Sequence, residues 1–424
     1  MTFIYLVLSF LVVFSNQAIS AALLNWGFDR TISLLTPWIL VFVLSFTIMY
    51  VLLKKLRLQK GKWFLTLIPI LFLGFNYLIN PSFELVSADK SEKTLTEERL
   101  KKTPLKNFGG HPVLFYNVEN LFDTINDPRT NDDEFTPDGS KKWNSKRYSD
   151  KLTKLSEVIT TPGNHNPLLI GLAEIENRFV ILDLIQTGKL SNTKYRIAHF
   201  DSPDMRGIDV ALAFDLERFF LLHSEAVPVR IKGNEKFKTR DILYVKGFLK
   251  DSVELHVFVN HWSSRRGGQS ESEHKRILAA STLKNKSDSI LSISPNANII
   301  FMGDFNDYPT NKSIVDILDA KSFETSKNDE FVNLLAPYHS QGKGTHNYRG
   351  EWGALDQIII SPALVRGKTL GVKDKKAHVL YEDFLLYEHP SGDKTPSKTY
   401  GGPNYYGGYS DHLAVYTFLE AVSE

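Results

Sequence analysis

The sequence predicts a layered α/β domain with mixed, largely antiparallel β-sheets, preceded by two to three transmembrane helices. Long uncharged apolar runs fill much of the first 80 residues. From residue 112 onward, short apolar runs rich in β-branched residues recur, with helical patterns between some of them. Because several of these runs follow one another without a helix, a purely parallel fold is not expected.

Three N-terminal runs are candidate membrane spans, at about residues 3–24, 32–53 and 63–79. A spanning helix needs about 20 apolar residues and at least about 17, so the third run is only just long enough. Five basic residues and no acid lie in the loop 54–62, which predicts that this loop is cytoplasmic. The first run could instead be a cleaved signal peptide, because residues 18–22 are rich in small residues, although it lacks a basic start. Whether the first run is a span or a signal peptide, we expect the C-terminal part to lie outside the cytoplasm.

Composition excludes several classes of site. The 424-residue chain has a net charge of +2, which by itself predicts no polyanion-binding surface. It contains no cysteine, so disulfides, zinc–thiolate sites and a thiol nucleophile are excluded. Residues 81–110 are charged and end in Gly-Gly, which is typical of a linker or of a short solvated helix. We therefore expect a transmembrane region over 1–80, a linker over 81–110 and one domain over 111–424.

The C-terminal domain contains nine runs that we interpret as strands: VLFYNV, PLLIGLAEI, YRIAHF, IDVALAF, ILYVKGFL, LHVFVNHW, NIIFMGDF, LDQIIIS and HLAVYTFL. Two helices are indicated by apolar stripes at helical spacing. One contains Leu152, Leu155, Val158 and Ile159, and the other covers residues 270–291.

Polar residues stand at the ends or starts of at least six of these runs, as in GDFNDYP after NIIFM. One such residue is more often a cap or turn former than a functional group. Their recurrence favours a shared site, and Asp304 and Asn306, two positions apart, would lie on one face of a strand. The candidates are Asn117, Glu119, Glu174, His261, Asp304, Asn306, Asp356, Asp411 and His412.

The residue types indicate a hard metal ion and proton transfer. Glu174 and Asp411, with Asn117 or Asp304 nearby, offer oxygen ligands that suit Mg²⁺ or Ca²⁺. The histidines titrate near neutral pH, and a carboxylate such as Asp356 could orient one of them. A zinc site that uses His261 and His412 is the rival interpretation, but no HxH or HExxH spacing supports it.

The ordered motifs YNVEN, LAEIEN, VNHW, GDFND, LDQI and SDH, over about residues 110–420, resemble the endonuclease/exonuclease/phosphatase superfamily. Its members include pancreatic-type deoxyribonuclease, abasic-site endonucleases, inositol-polyphosphate 5-phosphatases and neutral sphingomyelinases. The resemblance implies a four-layer α/β sandwich of two mixed β-sheets flanked by helices. It also implies a site at one end of the sandwich.

By the same resemblance, Glu174 looks like the main Mg²⁺ carboxylate, with Asn117 beside it and Asp411 nearby. Mn²⁺ or Ca²⁺ could replace Mg²⁺. Glu119, two residues after Asn117, is a further candidate for the same site. Glu176 is two residues beyond Glu174 and could share its face, so the spacing alone does not decide which glutamate is the ligand.

The resemblance also implies catalytic roles. His412 would deprotonate the attacking water and would be held by Asp356. Asp304 and Asn306 would orient water and phosphate. His261 would donate a hydrogen bond or a proton to a phosphate or leaving oxygen.

The segment HWSSRRGG departs from the form found in many members of the superfamily and resembles a bacterial subgroup often described as extracellular nucleases. Arg265 and Arg266 on its Gly-rich turn could bind phosphate, or could belong to a solvated turn. Arg206 and the loop GTHNYRGEW, including Asn347, are similar candidates for substrate phosphate.

We therefore expect a membrane-anchored, extracytoplasmic and monomeric phosphodiesterase that hydrolyses nucleic acid with Mg²⁺. A phosphatase, or a phospholipid or sphingomyelin phosphodiesterase, is the alternative on the same fold. A membrane-anchored binding protein without catalysis is the alternative of another class. It is disfavoured because binding alone does not require a metal, a base and an acid that orients the base.

Overall fold

A computed structural model of the chain describes residues 110–421, except 164, 235, 250–252 and 328. The three predicted spans and the predicted linker, apart from its last residue, lie outside the described residues. Within the described part, no helix has both the length and the apolar character needed to cross a membrane.

A six-stranded sheet forms one half of the domain. Its strands, in spatial order, are β14 (Leu370–Val379), β19 (Val415–Ala421), β1 (His111–Leu121), β2 (Leu169–Ile175), β4 (Asp209–Asp215) and β3 (Tyr195–His199). The central pair β1 and β2 is parallel, and the other neighbours are antiparallel. The sheet is therefore mixed, as the sequence predicts.

A seven-stranded mixed sheet forms the other half. Its strands, in spatial order, are β5 (Phe219–Val227), β6 (Ile242–Leu249), β7 (Val253–His261), β8 (Asn298–Asp304), β13 (Asp356–Ile360), β10 (Phe331–Asn333) and β9 (Ala320–Lys321). Strands β7 and β8 are parallel and are joined by the longest helix of the described part, whereas β8 and β13 are antiparallel.

The helices and short hairpins complete the domain. The helices are α1 (Ser145–Ile159), α2 (Arg178–Ile185), α3 (Gln269–Ile293), α4 (Ala336–Ser340) and α5 (Pro362–Arg366), with a π-helical turn at Ser313–Ile317 and 3₁₀ turns at Asp133–Phe135, Gly188–Asn192 and Asp383–Leu385. The hairpins are β11 (His346–Tyr348) with β12 (Glu351–Gly353), β15 (Leu386–Glu388) with β16 (Lys394–Pro396), and β17 (Tyr400–Gly401) with β18 (Asn404–Tyr405).

The alternation of side chains along β8 shows how the layers are held. Ile300 and Met302 join the core that is shared by the two sheets, whereas Ile299 and Phe301 point to a second core. Helix α3 covers this second core, while α1 and α2 pack against the first sheet. A strand buried on both faces reads as a continuous apolar run, which is why NIIFM shows no polar alternation. The layers are helix, sheet, sheet and helix.

Both predicted helices are present. The stripe of Leu152, Leu155, Val158 and Ile159 is the buried face of α1. Helix α3 covers the predicted segment 270–291 and extends beyond it at both ends. At its N-terminal end Arg276 is fully buried and its Nε lies 2.7 Å from Oδ1 of Asp307, the second aspartate of GDFND. Asp307 thus ties the end of β8 to α3.

Candidate active site

Three residues of the second sheet lie side by side at one end of the sandwich. In the register of the strands, Asp304 at the end of β8 is opposite both His261, at the end of β7, and Asp356, at the start of β13. The parallel pair ends at this edge and the antiparallel strand begins there, so topology alone brings the three together. Gly303 is required beside them, because a Cβ at that position would clash with the backbone of Asn260 on β7.

The first sheet contributes Asn117 and Glu174 through a distortion at the ends of β1 and β2. The register shifts after Asn117 and Ala173, and Glu174 has a φ of 64°, in the left-handed region that is uncommon for a residue with a side chain. Oε2 of Glu174 accepts a hydrogen bond from the Asn120 backbone N–H at 2.9 Å. The bulge therefore re-aims Glu174 and holds it there.

The side chains from the two sheets meet around Asp304. Nδ2 of Asn117 donates to Oδ2 of Asp304 at 3.1 Å. Nε2 of His261 lies 3.6 Å from that oxygen and 3.9 Å from Oε1 of Glu174. Nε2 of His412 lies 3.9 Å from the same Asp304 oxygen. Five of the predicted residues thus form one cluster.

Asp356 and His412 form a buried pair, with 2.7 Å between Oδ2 of Asp356 and Nδ1 of His412. The two residues lie at or near the starts of the predicted strands LDQIIIS and HLAVYTFL. These strands are not neighbours in the structure: His412 precedes β19 by three residues, and β19 belongs to the first sheet whereas β13 belongs to the second. The pair therefore bridges the two sheets across the sandwich. The hydroxyl of Thr345 also donates to Oδ2 of Asp356.

Burial of so many carboxylates controls the electrostatics. Burial raises the pKa of Asp304 to about 7, and the neighbouring Asp356 raises it further while His412 opposes the shift. Burial also raises the pKa of Glu174, against the effect of Arg206. Burying charged carboxylates together is costly unless a cation neutralises them. The cluster is thus arranged to receive positive charge.

The pKa values of His261 and His412 shift in opposite directions. Burial lowers the pKa of His261 well below its usual value, and Arg240 and Arg206 add to the effect, so this imidazole is neutral. Burial would also lower the pKa of His412, but Asp356, Asp304 and Asp411 outweigh it and raise that pKa well above its usual value.

Asp411 is half-buried at the rim of the cluster. One of its ligand atoms lies within 4.8 Å of ligand atoms of His346 and His412. Its charge also raises the pKa of Glu174 and of Glu119. The structure thus places Asp411 next to His346 and His412, near enough to Glu174 for its charge to affect that carboxylate.

Asn306 reaches the site differently from its prediction. It is not on β8, which ends at Asp304, and its φ of 50° turns it off the strand. Its backbone N–H donates to Oδ1 of Asp304 at 2.9 Å, and its Nδ2 donates to the carbonyl of Trp262 at 3.1 Å. Asn306 therefore fixes the Asp304 carboxylate and the backbone just after His261.

Glu119 and Glu176 point away from the cluster. The two oxygens of Glu119 accept hydrogen bonds from the backbone N–H groups of Thr399 and Tyr400, at 2.6 and 3.0 Å. Oε2 of Glu176 accepts from the Asp123 N–H at 2.6 Å, in the loop after β1. Of the two glutamates that the spacing left open, Glu174 is the one that faces His261 and Asp304.

The residues predicted to contact substrate phosphate also differ in whether they lie next to the cluster. Arg206 is about half exposed, and its Nη1 lies 3.9 Å from Oε1 of Glu174. The Nε of Arg265 instead donates to the Asn306 carbonyl at 2.8 Å, and its guanidinium packs on the ring of Tyr308. Oδ1 of Asn347 accepts from the Gly350 N–H at 3.0 Å and closes the turn between β11 and β12. Of these three residues, only Arg206 both lies next to the cluster and has a side chain that is about half exposed to solvent.

Sequence reasoning missed three residues that shape the site. Thr345 binds Asp356, and His346 stacks beside His412 with 4.8 Å between ring centroids. Arg240 is buried, donates to the His261 carbonyl at 3.1 Å and pairs with Asp204 at 2.8 Å. The first two lie in the loop GTHNYRGEW, next to the predicted phosphate contact Asn347.

The donor set of the cluster fits a hard divalent cation. Glu174, Asp304 and Asp411 offer carboxylate oxygens, and Mg²⁺ prefers such ligands. The amide oxygen of Asn117, predicted as a further ligand, instead accepts the Glu119 backbone N–H at 3.1 Å, and the amide nitrogen faces Asp304. The raised pKa values of Glu174 and Asp304 have the sign expected of ligands that lack a counter-charge. In the described residues, no close group of three metal-capable side chains combines His261 with His412, the pair on which the rival zinc site rests.

Several solved structures are similar to this chain. A mannosyl-6-phosphatase from Bacteroides thetaiotaomicron is 16% identical, with coverage of 74% of this chain and 100% of that one and a TM-score of 0.47. The human Nocturnin catalytic domain with bound sulfate is 17% identical, covering 74% and 95%, at 0.45. Truncated Caenorhabditis elegans TDP2 is 16% identical, covering 75% and 99%, at 0.46.

No curated protein matches the chain. The sequence model described as the Endonuclease/Exonuclease/phosphatase family matches residues 112–421, which is nearly the whole of the described domain. The chain therefore belongs to the endonuclease/exonuclease/phosphatase family, whose members are hydrolases that act on phosphoesters and typically depend on a divalent metal.

Proposed function

We propose that this protein is a Mg²⁺-dependent phosphodiesterase that hydrolyses nucleic acid outside the cytoplasmic membrane. The observation that carries the proposal is the buried His412–Asp356 pair next to a carboxylate cluster. A base oriented by an acid, beside oxygen ligands for a metal, is what hydrolysis by water requires. Mn²⁺ or Ca²⁺ could replace Mg²⁺, because the ligands are oxygens.

Glu174, Asp304 and Asp411 would hold the ion, which when bound supplies charge neutralisation for the phosphate. Asn117 would position the Asp304 carboxylate through its Nδ2. His412 would accept a proton from the attacking water at Nε2, since its Nδ1 is bonded to Asp356. When the carboxylates share their charge with a cation, they raise the pKa of His412 less, and the imidazole can act as a base near neutral pH. Asp356 holds the tautomer and stabilises the imidazolium.

His261 and Arg206 would bind the phosphate. His261 is neutral, so it can donate one hydrogen bond from Nε2 to a phosphate or leaving oxygen, in the direction of Glu174 and Asp304. Arg206 brings a permanent positive charge to the same place. Asn306 and Arg240 hold the backbone behind these groups. All of these residues come from one chain, so we propose a monomer.

The test uses the full-length chain purified in a mild detergent and incubated with plasmid DNA, RNA, sphingomyelin and inositol phosphates. We expect cleavage of nucleic acid with Mg²⁺ and loss of cleavage with EDTA. A parallel preparation of His412→Ala controls for contaminating nucleases. Cleavage of sphingomyelin or of phosphomonoesters alone would replace nuclease by one of the alternatives, and no hydrolysis of any substrate would favour a binding protein.

The membrane location is part of the proposal and rests on the sequence. Three uncharged runs precede the domain, and the loop 54–62 holds five basic residues and no acid. Such loops stay in the cytoplasm, so the third span leads outward.

Reporter fusions test this topology. We expect alkaline phosphatase, which is active only outside the cytoplasm, to be active when fused after residue 105. A cytoplasmic reporter at the same point should be inactive. The reverse pattern would contradict the proposed location, and fusions after residue 58 provide the matched control, because they should show the opposite activities.

A further inference from the structure

His346 has a place in the structure that the proposed mechanism does not use. It lies at the start of β11, half-buried, and forms an isolated antiparallel β-bridge with His412. The two imidazole rings are tilted by 41°, with 4.8 Å between centroids. Next to the bridge, the Leu413 N–H donates to the Thr345 carbonyl at 2.8 Å. The backbone, not a flexible side chain, therefore keeps the two histidines together.

A carboxylate completes the group. His346, Asp411 and His412 each offer a ligand atom, and these three atoms all lie within 4.8 Å of one another. We propose that the three residues bind a borderline transition-metal ion such as Zn²⁺, and that this ion inhibits the hydrolysis. The binding stands on the geometry alone, whereas the inhibition rests on the proposed function.

The donor atoms distinguish this group from the Mg²⁺ cluster. Two imidazoles and a carboxylate suit Zn²⁺ and its neighbours in the transition series, whereas Glu174 and Asp304 offer oxygens alone. Three protein ligands leave a fourth tetrahedral position for water. The group also differs from the rival zinc site of His261 and His412 that the sequence suggests, because His261 faces Glu174 and Asp304.

His412 has one nitrogen that is available to a metal. Its Nδ1 is bonded to Asp356, so Nε2 is the nitrogen available to a metal. A carboxylate that binds the second nitrogen of a metal-ligating histidine fixes its tautomer and strengthens the ligand. Zn–N bonds of about 2.0–2.1 Å need ligand atoms roughly 3.4 Å apart, so the group must contract from its present upper limit of 4.8 Å. Because the backbone bridge holds His346 and His412 in place, this contraction would have to come from rotation of the side chains.

The inhibition follows from which atoms the ion would occupy. Nε2 of His412 carries the lone pair that must accept the proton from water. A bound Zn²⁺ would occupy this lone pair, so His412 could no longer act as a base. Asp411 would be shared with, or withdrawn from, the Mg²⁺ cluster. Raised Mg²⁺ should therefore relieve the inhibition only in part, because Mg²⁺ competes poorly for two imidazoles.

Metal binding is tested without any substrate. Co²⁺, whose visible absorption reports tetrahedral nitrogen ligands, is titrated into the full-length protein in detergent, and Zn²⁺ is then used to displace it. We expect His346→Asn to lower the affinity for both ions by about 100-fold, because loss of one of three ligands should cost at least as much affinity as loss of an outer-shell partner. His378→Asn is the matched control, because His378 lies on β14 and stacks on Tyr416.

Inhibition is tested by adding Zn²⁺ to the Mg²⁺-supported hydrolysis. Each rate is divided by the same variant's rate without Zn²⁺. His346→Asn should need about 100-fold more Zn²⁺ than the wild type for half inhibition, and His378→Asn the same amount as the wild type. His346→Gln repeats both experiments if His346→Asn does not fold, as judged by melting temperature.

Each outcome decides one part of the inference. Unchanged Co²⁺ and Zn²⁺ binding in the folded His346 variants would overturn the site. Binding that depends on His346, without inhibition, would keep the site and overturn its inhibitory role. If no substrate is hydrolysed, the proposed function fails, but the binding experiment still decides whether the metal site exists.

Discussion

Glu174→Gln should lower the Mg²⁺-supported rate by about 100-fold or more while leaving the fold intact. The amide keeps the shape of the side chain, and its oxygen can still accept the hydrogen bond that Oε2 receives from Asn120. It lacks the charge that attracts the cation, and even outer-shell partners of metal sites cost about 10–100-fold when replaced. The measurement is turnover as a function of Mg²⁺ concentration, and high Mg²⁺ should restore part of the rate.

Glu176→Gln is the matched control for this prediction. The same substitution is made two residues away on the same strand end, but Glu176 binds the Asp123 N–H instead of facing the cluster. Its Mg²⁺ dependence should equal that of the wild type. Equal losses in the two variants, or an unaffected Glu174→Gln, would remove Glu174 from the metal site.

The contrast between these glutamates shows where sequence reasoning ends. Residues two apart on a regular strand share a face, so the spacing predicts similar positions for Glu174 and Glu176. The left-handed conformation of Glu174 and the shift in register break that alternation. Left-handed conformations at residues other than glycine depend on the surrounding structure, and no local pattern in LAEIEN predicts one. Asn306 departs from its prediction for the same reason.

A layered α/β domain with mixed sheets was predictable from short-range features, whereas the four layers and the site at one end of the sandwich were implied by the resemblance to the superfamily. Apolar runs, helical stripes and polar strand ends are all visible within about ten residues. The partners of the buried polar groups were not, because they come from distant segments. Glu119 binds the backbone of Thr399 and Tyr400, and Asp307 binds Arg276 on α3. A single sequence contains no signal for such pairs.

The placement of His412 illustrates both sides. Its contact with Asp356 could be predicted from chemistry, since an imidazole and a carboxylate near one another form a pair. The geometry of that contact could not, because it depends on how two sheets pack. His412 approaches from the first sheet, and Asp356 opens a strand of the second. The pair is therefore also a tie across the sandwich, which gives it a structural role besides the proposed catalytic one.

His412→Ala should lower the rate by about 10²–10⁴-fold, the usual contribution of a general base. Asp356→Asn should also lower it strongly, because an amide that donates to Nδ1 stabilises the wrong tautomer. If Asp356 acts through His412, the losses will not add, and the double variant will have the rate of His412→Ala. Turnover and melting temperature are measured for both single variants and the double.

A second imidazole–carboxylate pair, of which only the imidazole is buried, separates catalysis from stability. His256 on β7 lies 2.9 Å from Glu254 and is as deeply buried as His412. His256→Ala should lower the melting temperature, since it removes a buried partner, but it should leave turnover per folded molecule unchanged. If the rates of all variants instead follow their melting temperatures, or if the losses at His412 and Asp356 multiply, the two residues do not act as one catalytic unit. Non-additive rate losses with melting temperatures no lower than that of His256→Ala would mean that the tie across the sandwich also serves to orient the base.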